Sequence, residues 1–416
     1  MKKSLIALAA LAAVSAASAQ SSVTLYGLVD IGYGAHQTKS RDGSASIKSS
    51  GVMDGANAGN RIGFRGTEDL GGGLKANFVV EQGISPTNGT LFGVRAGATG
   101  HQVDGFSATP GGTALSGSAG SYTIATNRQS YLGLSSATLG TVNIGYQYTI
   151  LYELGTLSGY NIGSEGMPGA DKAHILGQSS LGGTRGNAIS YTSPAFSGFT
   201  VRAQYGANAG RESVESSATG TNGLTVDNNR RFAAMVQYAN GPLSVAGAYT
   251  TLRSTQVNGA AGTAAAQTTN VLGFINGAQP FVPGAGLTGV ARTANVYQLG
   301  ASYDFGVAKL AGTYMNGKNG GTSTSLASTK FRGYQVGVSA PFGAIVPFVT
   351  FGRGKSTLET TGVLSEDYKS SQVGVRYSLS KRTTAYAFYG RTTNEAAAAA
   401  ALYRDSKTLV GVAHSF

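Results

Sequence analysis

The chain has no cysteine, so neither disulfides nor thiolate metal sites hold it together. Proline is scarce, at nine residues of 416. Charged residues make up only 12%, about half the usual share of a soluble domain. Bases outnumber acids by 31 to 19, but they are scattered singly. There is no Lys/Arg run and no interleaved aromatic patch, which argues against a nucleic-acid partner. Past the N-terminus no segment approaches the roughly 18 uninterrupted apolar residues that a membrane helix needs. The four histidines, His36, His101, His174 and His414, are far apart in sequence. The Gly-rich stretches lack the Lys-Ser/Thr ending of a phosphate loop. No metal site, cofactor or catalytic set is expected, so the chain does not read as an enzyme.

What is present is glycine, at 63 residues, and tyrosine, at 21, a composition suited to many strands joined by tight turns. Residues 1–19 read as a secretory signal. Lys2 and Lys3 precede an apolar Leu5–Val14 core, and Ala17-Ser18-Ala19 supplies small residues for cleavage. Residues 20–416 are then one domain, with 29 bases against 19 acids and a formal charge of +10. An exported chain without a membrane helix is periplasmic, secreted, or a barrel in an outer membrane. Only the barrel explains so few charges, because alternate residues of its strands face hydrocarbon.

The C-terminal stretch alternates. Thr408, Val410, Val412, His414 and Phe416 share one face, and Lys407, Gly411, Ala413 and Ser415 fall mostly on the other, a period of two that signals a strand. From Val23 onward about sixteen such segments follow, and their connections alternate short and long. That rhythm suits an antiparallel transmembrane barrel with short periplasmic turns and long external loops. Strand one is expected over Val23–Gly34, strand two over Asn60–Asp69 and strand five over Thr141–Ile150, with a long polar connection over 35–59. The strand over Ile345–Gly354 does not sort into two faces. Inward-facing candidates by alternation are Asp30, Arg61, Arg65, Lys75, Glu81 and Arg128, with Arg202, Arg231, Arg376 and Arg391 further along.

Specific residues then add to the pattern. Leu25-Tyr26-Gly27 opens strand one, and Arg61-Ile62-Gly63-Phe64-Arg65-Gly66-Thr67-Glu68-Asp69-Leu70-Gly71 forms strand two and its turn. Asn127-Arg128-Gln129-Ser130-Tyr131-Leu132-Gly133-Leu134, Tyr191-Thr192-Ser193-Pro194 and Val412-Ala413-His414-Ser415-Phe416 follow in order. Together they resemble the Gram-negative general diffusion porins of β-proteobacteria, over the whole chain after the signal. The resemblance implies a sixteen-stranded β-barrel in the outer membrane, a homotrimer whose third long loop folds into the lumen. Here that loop is the Leu151–Gly183 insertion, with the acids Glu153, Glu165 and Asp171. Arg61 and Arg128 match the family's wall arginines, and Arg185 is the candidate for a third, although it shares the parity of Tyr191. Where the family often carries Gly-Arg, this chain has Gly145-Tyr146. Phe416, with His414 and Val412, resembles the tag read by the outer-membrane barrel insertion machinery.

The implied function is a water-filled channel for passive diffusion of small hydrophilic solutes. The excess of inward bases, with Arg65, Lys75 and Asp30 beside the wall arginines, predicts a weak to moderate preference for anions. The expected partners are outer-membrane lipid and those solutes. The alternatives are a substrate-specific channel of the sugar-porin type, which would line its lumen with aromatics, and an outer-membrane enzyme or adhesin barrel.

Overall fold

The computed structural model describes residues 22–40, 46–87, 128–157, 162–164, 166–169, 185–207, 225–258, 290–321, 328–359, 361–396 and 403–416. The signal sequence, Glu165 and Asp171 lie outside them.

The strands are β1 (Ser22–Ser40), β2 (Ser46–Asp54), β3 (Arg61–Gly71), β4 (Leu74–Gly83), β5 (Gln129–Ser136) and β6 (Gly140–Tyr148). After one helix, α1 (Ile150–Leu157), come β7 (Arg185–Thr192), β8 (Phe199–Ala207), β9 (Thr225–Asn240), β10 (Leu243–Asn258) and β11 (Val290–Asp304). The sheet ends with β12 (Lys309–Gly321), β13 (Thr329–Ser339), β14 (Ile345–Leu358), β15 (Leu364–Ser378), β16 (Thr383–Asn394) and β17 (Tyr403–Ser415). Each pairs antiparallel with its neighbours, and β1 pairs with β17 from Leu28↔Ser415 to Ser40↔Tyr403, which closes the barrel. β2 and β3 lie end to end along β1, so the seventeen segments make sixteen barrel strands.

The expected alternation holds wherever a strand has an apolar outer face. Leu132, Leu134, Val142, Ile144, Val410 and Val412 are all exposed on the outside, while Gln147, Gln298, Gln335 and Gln372 are buried on the inside. Connections at one end are tight. Gly71, Gly72 and Gly73 have φ of 82°, 61° and 79°, a conformation that side chains beyond glycine resist. At the other end lie the long connections, such as 84–128 and 259–289. Among the described residues no helix is long and apolar enough to cross a membrane.

Two expectations need correction. The polar connection after strand one contains ordered sheet. β1 runs on to Ser40 and turns back as β2, with pairs such as Ala35↔Ser50 and Lys39↔Ser46. Its outer part, residues 35–40 and 46–50, is mostly polar, so it shows little alternation. Ile150, expected at the end of strand five, instead begins α1. Thr149 caps that helix: its carbonyl accepts from Glu153 N (3.0 Å) and its hydroxyl from Tyr152 N (3.3 Å).

The chain end explains one motif. Gly27 and Phe416 exchange both backbone hydrogen bonds at 3.1 Å. A Cβ on Gly27 would sit 2.3 Å from the Phe416 ring. The glycine of Leu25-Tyr26-Gly27 therefore leaves the space that the terminal ring fills.

Candidate pore constriction

The connection from β6 to β7 turns inward. Ile150 and Leu154 of α1 pack on Ala233, Met235, Ala246 and Ala248 of β9 and β10. Leu151 packs on Leu252, Ala294, Val296, Met315 and Phe331. Small inward alanines let the helix approach the wall, and burying three large aliphatic side chains holds it there.

The tip of the same loop crosses to the far wall. Arg376 of β15 donates to Ile162 O (3.0 Å), Gly163 O (2.5 Å) and Asn57 Oδ1 (2.8 Å). Gln372 donates to Ser164 O (2.9 Å) and Met167 O (3.1 Å) and accepts from Ser164 N (2.8 Å). Lys407 reaches Gly166 O at 3.4 Å, and the Ser164 hydroxyl donates to Ala56 O. Ile162 and Met167 bury against Phe348, Tyr386, Phe388 and Leu409. Gly390 gives close passage: a Cβ there would meet Pro168 O at 2.1 Å. The loop thus spans the lumen between β9–β11 and β14–β17.

On the wall formed by β1 and β3–β7 the arginines gather. Glu81 Oε1 accepts from Arg128 Nε (2.5 Å), and Oε2 accepts from Tyr26 OH (3.1 Å). Arg128 Nη2 donates to Tyr148 OH (2.8 Å), and Arg185 Nη2 donates to the same oxygen (3.1 Å). The Arg185 guanidinium lies 4.6 Å from the centre of the Tyr148 ring, which stacks on Tyr152 at 4.5 Å and 12°. Arg65 stands 5.2 Å from the Tyr26 ring. Arg61 occupies the same inner face, two residues above Gly63, which pairs with both Tyr26 and Glu81. Four arginines therefore share this wall with Arg128's one carboxylate partner.

Arg202 Nη1 donates to Glu153 Oε2 at 2.9 Å, which neutralises the described acid of the loop. Burial pushes the Glu153 carboxyl above the usual carboxylate range, and Arg202 pulls it back. Its side chain is still 34% exposed, so the burial is that of a deep lumen rather than a dry core. Tyr148, Tyr152, Glu153, Thr156 and Arg202 line a cavity of about 390 Å³. Arg231, 7% exposed, lies over Gly186 and Gly206, where a Cβ would come within 2.9 and 3.4 Å of its guanidinium.

Several expected wall residues are placed differently. Arg128 shares the parity of the outward Leu132 and Leu134, so alternation does not turn it inward. It precedes β5 in a bend, and that bend frees it to reach Glu81. Arg185 likewise shares outward parity with Ile189 and Tyr191, and joins the cluster through Tyr148 at the strand end. Asp30 is fully buried, not open to the channel. Its carboxylate accepts from Tyr386 OH (2.6 Å) and Ala58 N (2.8 Å), beneath the 55–60 segment. Lys75 is exposed beside the first turn, opposite Asp69, roughly 20 Å along the strand from Glu81. Arg391 faces outward with Tyr389, because its neighbour Thr392 is the buried one. His414, Val412 and Phe416 lie on the outer face near the short turns, where His414 Nδ1 meets Thr383 Oγ1 at 2.9 Å. Tyr148 and Gln372 carry the two ends of the site, yet neither stands out in the sequence.

A family model described as Gram-negative porin matches residues 7–397. The chain belongs to that family. The porin is 30% identical over 339 residues to an outer membrane porin protein of Bordetella pertussis, covering 77% of this chain and 70% of the relative. It is 31% identical over 312 residues to outer membrane porin protein 32 of Delftia acidovorans, covering 75% and 68%. Among solved structures, the anion-selective porin from Comamonas acidovorans superposes with a TM-score of 0.62 at 24% identity, covering 95% of this chain and all of the other. The porin is an outer-membrane diffusion channel. Its family is one of channels rather than enzymes.

Proposed function

We propose that this porin passes small hydrophilic solutes passively and prefers anions over cations, with Arg61, Arg65, Arg128 and Arg185 as the selecting wall. The observation that carries the reading is the meeting of Arg128 and Arg185 on one phenol oxygen, with Glu81 bonded to Arg128. Tyr148 gathers the two cations through hydrogen bonds to its phenol oxygen rather than through a carboxylate. Arg202 and Glu153 cancel each other. A positive surplus in a narrow, low-dielectric passage raises the local anion concentration.

A sugar-specific channel is less well supported. Its aromatics would have to offer their faces to the solute, whereas Phe348, Tyr386 and Phe388 are buried beneath the loop tip. Two further parts of the proposal rest on family likeness: the barrel assembles as a homotrimer, and residues 1–19 are removed on export. The terminal Phe416 strand is its insertion tag.

The test is the reversal potential of the purified protein in a planar bilayer under a KCl gradient. An anion-favouring potential that weakens when Arg61 and Arg128 are both changed to Gln supports the selecting wall. A potential indifferent to both changes removes it while leaving the channel.

A further inference from the structure

β1 serves two partners in turn along one edge. β2 leaves it at Ile31↔Asp54, and β3 joins it at Leu28↔Arg61. Between those pairs β1 spends two residues, Val29 and Asp30, while the opposite chain spends six, 55–60. The surplus does not fit in the sheet, so the segment leaves its plane. It turns into the lumen, because it lies over Asp30, whose side chain points inward and is fully buried. An excursion from a sheet gives up its ladder bonds, and its backbone donors need other acceptors. Asp30 and Tyr386 supply three. The Asp30 carbonyl accepts from Gly55 N (2.7 Å), and its Oδ2 accepts from Ala58 N (2.8 Å). Tyr386 OH donates to Asp30 Oδ1 (2.6 Å) and accepts from Ala56 N (3.2 Å). Asp30 N in turn donates to Asn60 Oδ1 (2.5 Å). The fit is close, since a Cβ on Gly55 would overlap the Asp30 carboxylate.

The far side of the segment meets the constriction. Asn57 Oδ1 accepts from Arg376 Nε (2.8 Å), and Ala56 O accepts from the Ser164 hydroxyl. Ala56 is buried in one cluster with Ile162 and Met167 of the loop tip. The tip passes close by, so that a Cβ on Gly166 would lie 2.8 Å from the Ala56 Cα. At its other end the segment lies against the arginine wall. A Cβ on Gly59 would come within 2.9 Å of Arg128 Nη1, and Asn60 leads directly into Arg61. Residues 55–60 therefore bridge the loop tip and the Arg128 cluster. The bridge stands on one buried acid and one phenol.

We propose that Asp30 is a positioning residue of the constriction. By holding residues 55–60 it holds the loop tip in place, although the carboxylate itself meets no permeating ion. Tyr386 is its partner in that role. A purely structural Asp30 would stabilise the barrel and leave the open-channel current alone, whereas a positioning Asp30 governs how steadily the tip stands. The inference rests on the chain being a diffusion channel and not on which ions it prefers. If Arg61 and Arg128 had no part in selectivity, the role of Asp30 would be untouched.

The test records single-channel currents of the purified full chain in planar bilayers, with thermal unfolding measured alongside. Asp30→Asn keeps the side chain's shape but turns one acceptor oxygen into a donor. Tyr386→Phe removes the phenol hydroxyl and changes no charge. Losing a hydrogen bond to a charged group favours release of the segment by roughly tenfold or more. Time spent at sub-conductance levels is therefore expected to rise about tenfold in each variant. The double variant should fall short of the product of the two, because both remove the same bond. Asp367→Asn is the control, a buried acid whose partner Arg353 lies away from the loop, and its currents are expected to stay as quiet as wild type. Quiet currents in folded Asp30→Asn or Tyr386→Phe overturn the proposal. So does equal noise in Asp367→Asn, which would mark a general loss of stability. An altered ion preference in Asp30→Asn alone, with quiet currents, also overturns it, because the acid would then act through its field. Should Asp30→Asn fail to fold, Tyr386→Phe decides.

Discussion

The two walls that the inward loop joins are built from opposite materials. On the near side α1 lies on alanines of β9–β11 through Ile150, Leu151 and Leu154. On the far side the tip is tied by Arg376, Gln372 and Lys407 to its own backbone carbonyls. The apolar seat fixes where the helix rests but not its exact register, because dispersion and burial are not directional. The polar seat fixes the tip atom by atom. The same contrast governs the arginines. Arg376 is covered by the tip, flanked by the Phe348 and Phe388 rings at 4.5 and 5.1 Å, and its donors are engaged. Arg128 is itself only 13% exposed, beside Gly59, but it donates to the wall side chains Glu81 and Tyr148, and Arg185 shares Tyr148. A guanidinium on a barrel wall is thus a strut for the loop or part of a wall cluster according to what it binds.

The sharpest way to break this comparison is Arg376→Ala. Three charge-assisted hydrogen bonds are lost, each of which contributes ~1.5–3 kcal/mol. Water entering the lumen recovers part of that, so the expected loss is about 4 kcal/mol. Single-channel records are expected to become noisy as the tip moves. Arg376→Lys is not expected to restore quiet channels, since an ammonium lacks the fork that reaches three acceptors. Quiet openings in Arg376→Ala would mean that the apolar contacts of Ile162 and Met167 hold the tip alone. Leu154→Ala attacks the other seat and should destabilise by roughly 3 kcal/mol. That loss is expected to be the same at low and high salt in thermal unfolding, because no charge is involved.

Selectivity separates Arg128 from Arg376 more finely. An ion passing about 5 Å from a guanidinium in a water-like lumen feels about 0.8 kcal/mol, roughly a fourfold effect on relative permeability. Arg128→Gln is expected to lower the anion-to-cation ratio by about that factor. Arg376→Gln should leave the ratio nearly unchanged while altering noise. Equal shifts in both variants would show that the Arg376 charge reaches the pore despite its cover.

How much of this was legible in the sequence follows from where alternation has a cause. It has one where a strand faces hydrocarbon on one side and water on the other. Val410 and Val412 against Lys407 and Ala413 read correctly for that reason. Beyond the membrane both faces meet water, so the β1–β2 hairpin carried little signal. Strand ends mislead too: Arg128 has outward parity but sits in a bend, and Arg185 reaches inward through Tyr148. The unsorted strand over Ile345–Gly354 has its explanation in the loop. Phe348 is apolar yet inward because it lies under the tip, while Phe351 faces out. Face assignment was therefore available from pattern, but the covering of Asp30 and Arg376 was not, since it depends on segments far away in the chain.

The smallest effect expected is a pH dependence from the near wall. Burial raises the Glu153 carboxyl, and Arg202 opposes the rise without cancelling it. Glu153 therefore takes up its proton at a higher pH than an ordinary glutamate, near 4.3, as the solution is acidified. Protonation removes one negative charge and leaves Arg202 unneutralised, so the site gains one unit of positive charge. Anion preference should rise as the pH falls from neutral, by less than the roughly fourfold effect of a residue nearer the ion path. Glu153→Gln should show the raised preference already at neutral pH, with a flat profile above pH ~5. A wild-type profile that is equally flat would place the Arg202–Glu153 pair outside the field that ions sample, and would confine selection to the Arg128–Tyr148–Arg185 cluster.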